Sequence, residues 1–172
     1  VVLAGDTYDQ AKTHCDTIVA ETGMTFIHPF DDPLVIAGQG TIGAEILRHS
    51  QERLSAVFVP VGGGGLIAGI AGYIKALRPD VKIIATEPAA AALLGGGEWK
   101  PHKIQGWTPD FLPDVLNREL HDELVPVTDD EAKTASRRLA AEEGIFVGIS
   151  AGGTLAAALH VARTVCRRAE RR

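Results

Sequence analysis

Only two cysteines, Cys15 and Cys166, occur in the 172 residues, far apart and without metal-ligand spacing. That scarcity argues against a disulfide framework, and it makes a reducing compartment, the cytoplasm, the expected location. Each thiol reads as a small, partly buried side chain rather than a nucleophile. Long apolar runs are also missing, none approaching the ~20 residues that a membrane helix needs, so no membrane partner is expected. A strong charge of one sign is lacking too. With a net charge of −5 and a pI near 5.7, nothing favours nucleic acid or an anionic surface as partner. The six histidines show neither ligand-like spacing nor a Ser or Cys nucleophile pattern, so neither a metal site nor a hydrolytic triad is expected. An initiator Met is absent as well: the chain opens on Val1-Val2-Leu3 and reads as the interior of a longer protein.

What is present is ordinary globular material, 45% hydrophobic and 23% charged. It is enough for one well-filled domain and a fragment of a second. Short β-branched runs alternate with amphipathic segments. The pattern predicts strands over 1–3, 25–28, 56–61, 81–86, 123–127 and 145–148. Helices are predicted from Asp6 or Thr7 to about 21, over 40–49, over 66–77, from a Thr128–Glu131 capping box to Gly144, and over 152–167. The Pro29–Pro33 stretch reads as a turn-rich loop, as does most of 88–118. Such alternation implies an α/β fold with a doubly wound, mostly parallel sheet.

The most informative feature is Val59-Pro60-Val61-Gly62-Gly63-Gly64-Gly65-Leu66. Four glycines between a buried strand and a helix are costly unless the backbone itself has a role. They allow close approach to a ligand and turn several N–H groups toward one point. The helix starting at Leu66 adds free amides and a positive dipole end, so the natural guest is a phosphate group. A dinucleotide fingerprint is not supported, because its last glycine position falls on Ile67. A nucleotide P-loop is not supported either, because Leu66-Ile67 stand where Lys-Ser/Thr would be.

Further motifs surround this run. Gly5-Asp6-x-Tyr8-Asp9-x-Ala11 and Pro29-Phe30-Asp31-Asp32-Pro33-x-Val35-Ile36-Ala37-Gly38-Gln39-Gly40-Thr41-Ile42 precede it. With the glycine run they make residues 1–88 resemble threonine dehydratase and serine racemase. Pro101-His102-Lys103-Ile104-Gln105-Gly106 and Val147-Gly148-Ile149-Ser150-Ala151-Gly152 follow, and residues 97–160 resemble cysteine synthase. Both are fold-type II pyridoxal-phosphate enzymes with a tryptophan synthase β-like large domain. The resemblance implies that Gly62, Gly63, Gly64, Gly65 and the Leu66 amide hold the phosphate of pyridoxal 5′-phosphate. It implies that Ser150 hydrogen-bonds the pyridine nitrogen, and that Gln105 and Gly106 begin a loop beside the substrate. A helix cap is the alternative reading of Ser150, and an ordinary surface loop that of Gln105 and Gly106. Glu87 matches a carboxylate that joins a divalent metal in serine racemase-like proteins. Leu93 replaces the second carboxylate of that site, so no metal is expected.

The lysine that holds the cofactor in both families stands in a Ser-x-Lys-x-Arg motif, and none of the six lysines here has that context. No catalytic residue is therefore assigned. The chain reads as the C-terminal part of a longer enzyme, with residues 1–30 ending a small domain and 31–172 forming most of the large one. Its expected partners are a small amino-acid substrate, the missing N-terminal half and a second copy in a homodimer. The activity implied is α,β-elimination from L-threonine or L-serine to a 2-oxo acid. β-Replacement on O-acetylserine and a non-catalytic phosphate-binding remnant are the alternatives.

Overall fold

The computed structural model describes residues 1–50, 54–113, 115–116 and 118–171. Three strands, β1 (Ala56–Pro60), β2 (Lys82–Pro88) and β3 (Glu123–Val127), form one parallel sheet in the order β1-β2-β3. The register pairs Phe58 with Ile84 and Ile84 with Glu123. The α-helices among the described residues are α1 (Tyr8–Thr22), α2 (Pro33–His49), α3 (Gly65–Leu77), α4 (Asp129–Glu143) and α5 (Ile149–Ala169). A short 3-10 turn covers Arg118–Leu120.

Alternation along the strands sends successive side chains to opposite faces, and each face has its own core. Val57, Val59, Ile83 and Ala85 meet Ile67, Ile70 and Ile74 of α3, with α2 behind. Phe58, Val125 and Val127 meet Ala132 of α4, Ala157 of α5, and Ile104 and Trp107 from the loop between β2 and β3. Helices on both faces of a parallel sheet are the doubly wound arrangement that the sequence pattern implies. α1 contributes no buried residue to either core.

The runs 1–3, 25–28 and 145–148, expected as strands, are not strands. An apolar run becomes a strand only where a neighbour accepts its ladder of hydrogen bonds. These segments have none among the described residues, and Leu3, Ile27 and Phe146 are exposed. The second helix starts at Pro33 rather than near Gly40. Asp32 is its N-cap: its Oδ1 accepts from the amides of Leu34 (2.7 Å) and Val35 (3.2 Å). Pro33 at the first helical position lacks only an N–H that no acceptor would have met, so an Asp-Pro pair can open a helix as well as make a turn. Asp32→Ala is expected to lower stability by about 1 kcal/mol in urea unfolding. The Thr128–Glu131 capping box stands as expected, with Gly144 in the left-handed region closing α4. α5 begins at Ile149 with Gly148 as its N-cap, so Ser150 lies inside the first turn and does not cap the helix. Arg172, and Asp114 and Asn117 of the 88–118 loop, lie outside the described residues.

A glycine-walled cavity at two helix N-termini

β1 and β2 are in register, and Val61 prolongs β1 by donating its N–H to the Thr86 carbonyl (3.0 Å). The chain then turns through Gly62–Gly64 into α3. The turn is squeezed between two neighbours. A Cβ on Gly62 would lie 2.3 Å from the Gly106 carbonyl oxygen, and one on Gly63 would lie 2.2 Å from the Phe30 ring. One on Gly65 would lie 2.5 Å from the Phe30 carbonyl oxygen, and Gly64 has φ +89°. Glycine is thus demanded at each position by the protein's own packing or backbone. Among the described residues, the amides of Gly62, Gly63, Gly64, Gly65 and Leu66 donate to no protein acceptor. The last two are first-turn amides of α3, which no helix can satisfy internally.

These groups open onto a cavity of about 410 Å³. Gly62, Gly63, Gly64, Gly65 and Leu66 form one wall, and Gln105, Gly106 and Ser150 complete it, so the residues expected to meet cofactor and substrate line one space. Pro29, Phe30, Gln39, Pro60 and Trp107 line it as well, and motif reading assigns none of them a role. Phe30 is fixed by His28, whose Nδ1 accepts from the Phe30 and Asp31 amides (3.3 and 2.7 Å) and whose ring meets Phe30 edge-on. The opposite wall is tied to β1 through Thr108. Thr108 donates its N–H to the Val61 carbonyl (2.9 Å), and its own carbonyl accepts from Trp99 Nε1 (3.3 Å). Trp107 is only 5% exposed and lies on α5, where a Cβ on Gly153 would come within 2.8 Å of its ring. That contact joins residues 46 positions apart and has no local sequence signal. Proximity of Trp107 to the Gln105-Gly106 motif was the available clue.

No ionisable side chain lines the cavity among the described residues. Its positive potential comes from the N-termini of α3 and α5, which begin at Gly65 and Ile149. Ser150 Oγ has no hydrogen-bond partner among the described residues, and only its carbonyl is engaged, accepting from Thr154 (3.2 Å). A neutral space with five unmatched amides, two helix N-termini and one free hydroxyl fits a phosphate on a flat polar ring. None of the six lysines reaches it. Lys12 pairs with Asp16, Lys75 with Asp122, Lys82 with Glu123 and Lys133 with Asp130. Lys100 and Lys103 sit exposed in the loop.

Glu87 is buried at the end of β2 and accepts from the amides of Leu94 (2.9 Å) and Gly95 (3.1 Å). It holds the Leu93–Gly95 turn against the sheet. Burial pushes its carboxyl above the ordinary carboxylate range, against the two amides that favour its charge. Folding therefore raises this pKa, so its contribution to stability is full below the ordinary carboxylate value and is lost as pH rises through the folded one. Relative to Glu87→Gln, which does not titrate, the wild-type chain should lose stability as pH rises from about 4. Urea midpoints for both proteins across that range check it.

A family profile described as pyridoxal-phosphate dependent enzyme matches residues 1–169. Biosynthetic chloroplastic threonine dehydratase of Arabidopsis thaliana is 63% identical over 91 residues, covering 53% of this chain and 15% of that one. O-ureido-L-serine synthase of Streptomyces lavendulae is 42% identical over 149 residues, covering 86% of this chain and 46% of that one. A crystal structure of O-ureido-L-serine synthase superposes with a TM-score of 0.84 at 38% identity, over 92% of this chain and 50% of the other. The chain thus spans about half, or less, of the length of these relatives.

Proposed function

The chain belongs to the pyridoxal-phosphate dependent enzymes, and from that premise we propose that it forms the phosphate and ring-nitrogen side of the active site of an amino-acid lyase. The reaction is α,β-elimination from L-threonine or L-serine, giving a 2-oxo acid and ammonia. The observation that carries this reading is the glycine wall, in a chain 63% identical over 91 residues to a threonine dehydratase. When bound, the cofactor supplies an electron-withdrawing ring that stabilises negative charge at the substrate's α-carbon. The amides of Gly62 to Leu66, at the positive end of α3, bind the phosphate dianion. The Ser150 hydroxyl, free among the described residues, would hold the pyridine nitrogen. A hydroxyl, unlike a carboxylate, does not favour a protonated ring, which tempers its electron-sink character and suits chemistry at Cβ. Gln105 and Gly106 would border the substrate, and Phe30 and Trp107, which wall the cavity, would keep water from the cofactor.

No amine of this chain reaches the cavity, so the lysine that moves the α-proton comes from outside it. Alone, the chain binds cofactor and does not turn over substrate. Residues 1–30 belong to the small domain and 31–172 to the large one, in keeping with the absence of buried residues in α1. The assembled enzyme is a homodimer, a reading supported by sheet edges that are unpaired among the described residues and by the exposed Leu3 and Phe146. A cytoplasmic location rests on the free thiols of Cys15 and Cys166. No described helix is long and apolar enough to cross a membrane.

A second reading, β-replacement on an activated serine, is favoured by the similarity to O-ureido-L-serine synthase over most of the chain. Trp107-Thr108-Pro109-Asp110-Phe111, where cysteine synthase usually carries a glycine-rich stretch, weighs against it. A non-catalytic phosphate-binding role is the third. Assaying the reconstituted enzyme for 2-oxobutyrate from threonine and for cysteine from O-acetylserine decides: absence of the oxo acid overturns the first reading.

A further inference from the structure

Helix α2 meets the glycine-walled cavity differently from α3 and α5. Those two follow Gly64 and Gly148, neither of which caps its helix with a side chain, so their first amides stay available to a guest. The first amides of α2 are taken, because Asp32 accepts from Leu34 and Val35. What α2 brings to the cavity is a side chain, and the one it places in the wall is Gln39. Glycines fix it there by letting α2 lie backbone to backbone on α3. A Cβ on Gly69 would lie 2.6 Å from the Gly40 nitrogen and 2.8 Å from the Gln39 Cβ. One on Gly40 would lie 3.3 Å from the Gly69 carbonyl oxygen, and one on Gly43 3.2 Å from that of Ile70. The two helices run in the same direction, since Phe30, just before α2, lies against Gly65, and Gly43 lies against Ile70. Gly69 stands one helical turn after Gly65. Helical side chains lean toward their own N-terminus, so Gln39 leans from Gly69 back toward Gly65 and the glycine turn. It is half-buried, and its carboxamide has no hydrogen bond among the described residues.

We propose that Gln39 is a side-chain ligand of the phosphate, donating a carboxamide N–H to it beside the amides of Gly62 to Leu66. The inference rests on the reading of this cavity as a phosphate cradle. A dianion that leaves water has to regain its hydrogen bonds, and no ionisable side chain lines the cavity among the described residues. A carboxamide supplies two N–H donors without a charge. The other donors in the lining are placed elsewhere. Ser150 stands at the start of α5, Gln105 is exposed on its loop, and the Trp107 indole nitrogen is fully enclosed. Gln39 alone comes from the helix that flanks the first two turns of α3.

The test titrates this chain with inorganic phosphate by calorimetry, with urea midpoints measured alongside. Gln39→Met keeps the length of the side chain and removes the donor, and it should weaken binding by about tenfold. Gln39→Glu keeps the shape and turns a negative charge on the guest, and it should weaken binding by about a hundredfold. Gln39→Lys restores a donor and should bind at least as tightly as the wild-type chain. The phosphorus NMR shift of bound phosphate should move in Gln39→Met, and pyridoxal phosphate should lose the same factor there as inorganic phosphate. A role in packing alone would instead lower the urea midpoint and make Met, Glu and Lys weaken binding alike, and that result overturns the proposal. So does phosphate binding that Gln39→Met leaves intact, in which case the cavity reading stands and this one falls. A wild-type chain that binds neither ligand overturns both.

Discussion

Gly63→Ala is expected to lower the affinity for pyridoxal phosphate by about a hundredfold, as read by titration calorimetry. The new Cβ would lie 2.2 Å from the Phe30 ring, and no atom pair tolerates that distance, so the turn or the ring must move. A moved turn re-aims the amides of Gly62 to Leu66. Each hydrogen bond to a charged phosphate is worth about 1.5–3 kcal/mol, and losing one or two gives the hundredfold. The steric cause can be isolated. In the double variant Phe30→Ala, Gly63→Ala the obstacle is gone, and much of the affinity should return. Additive losses in the two single variants would mean instead that Phe30 and Gly63 act independently.

Trp107→Ala is expected to destabilise the fold by about 3–5 kcal/mol in urea unfolding. The indole is buried against α5 at Gly153 and belongs to the second core with Ile104, Val127, Ala132 and Ala157. Its removal leaves a hole bordered by α4, α5 and the sheet, elements too well tied to collapse into it. For a domain whose whole stability is about 5–15 kcal/mol, that loss brings the chain close to unfolding. Trp107→Phe, which keeps most of the contact, should cost distinctly less. Gly153→Ala attacks the same contact from the other side, and its combination with Trp107→Ala should be less harmful than the sum.

Elements with local signals were legible before any coordinates. The capping box at Thr128 and the helix after the glycine run depend on neighbours within a few residues, and sequence records such neighbours directly. The runs 1–3, 25–28 and 145–148 failed as strands for a non-local reason. Strand formation is decided by a partner, and Phe146 has no strand beside it among the described residues. Pro33 was ambiguous because the same Asp-Pro pair serves a turn or a helix start, and packing against α3 decides between them. Gly62 to Leu66, Gln105, Gly106 and Ser150 were legible as candidates because their motifs are short and continuous, and the structure gathers them around one cavity. Phe30 and Trp107 were not. Phe30 matters because it sits against Gly63, and Trp107 because it sits against Gly153, and both contacts are made by tertiary packing. The glycines also changed in meaning. Their lack of side chains serves the close approach of Phe30 and Gly106 as much as that of any ligand.

The central claim is that the chain holds the phosphate of pyridoxal phosphate through backbone amides and has no amine of its own to bind the cofactor covalently. Equilibrating the purified chain with pyridoxal phosphate, measuring bound cofactor, and then reducing with borohydride before intact-mass analysis tests both halves at once. The prediction is one equivalent bound, displaced by excess inorganic phosphate, with the protein mass unchanged after reduction. No binding, or a stoichiometric mass increase located on a lysine of this chain, would contradict it.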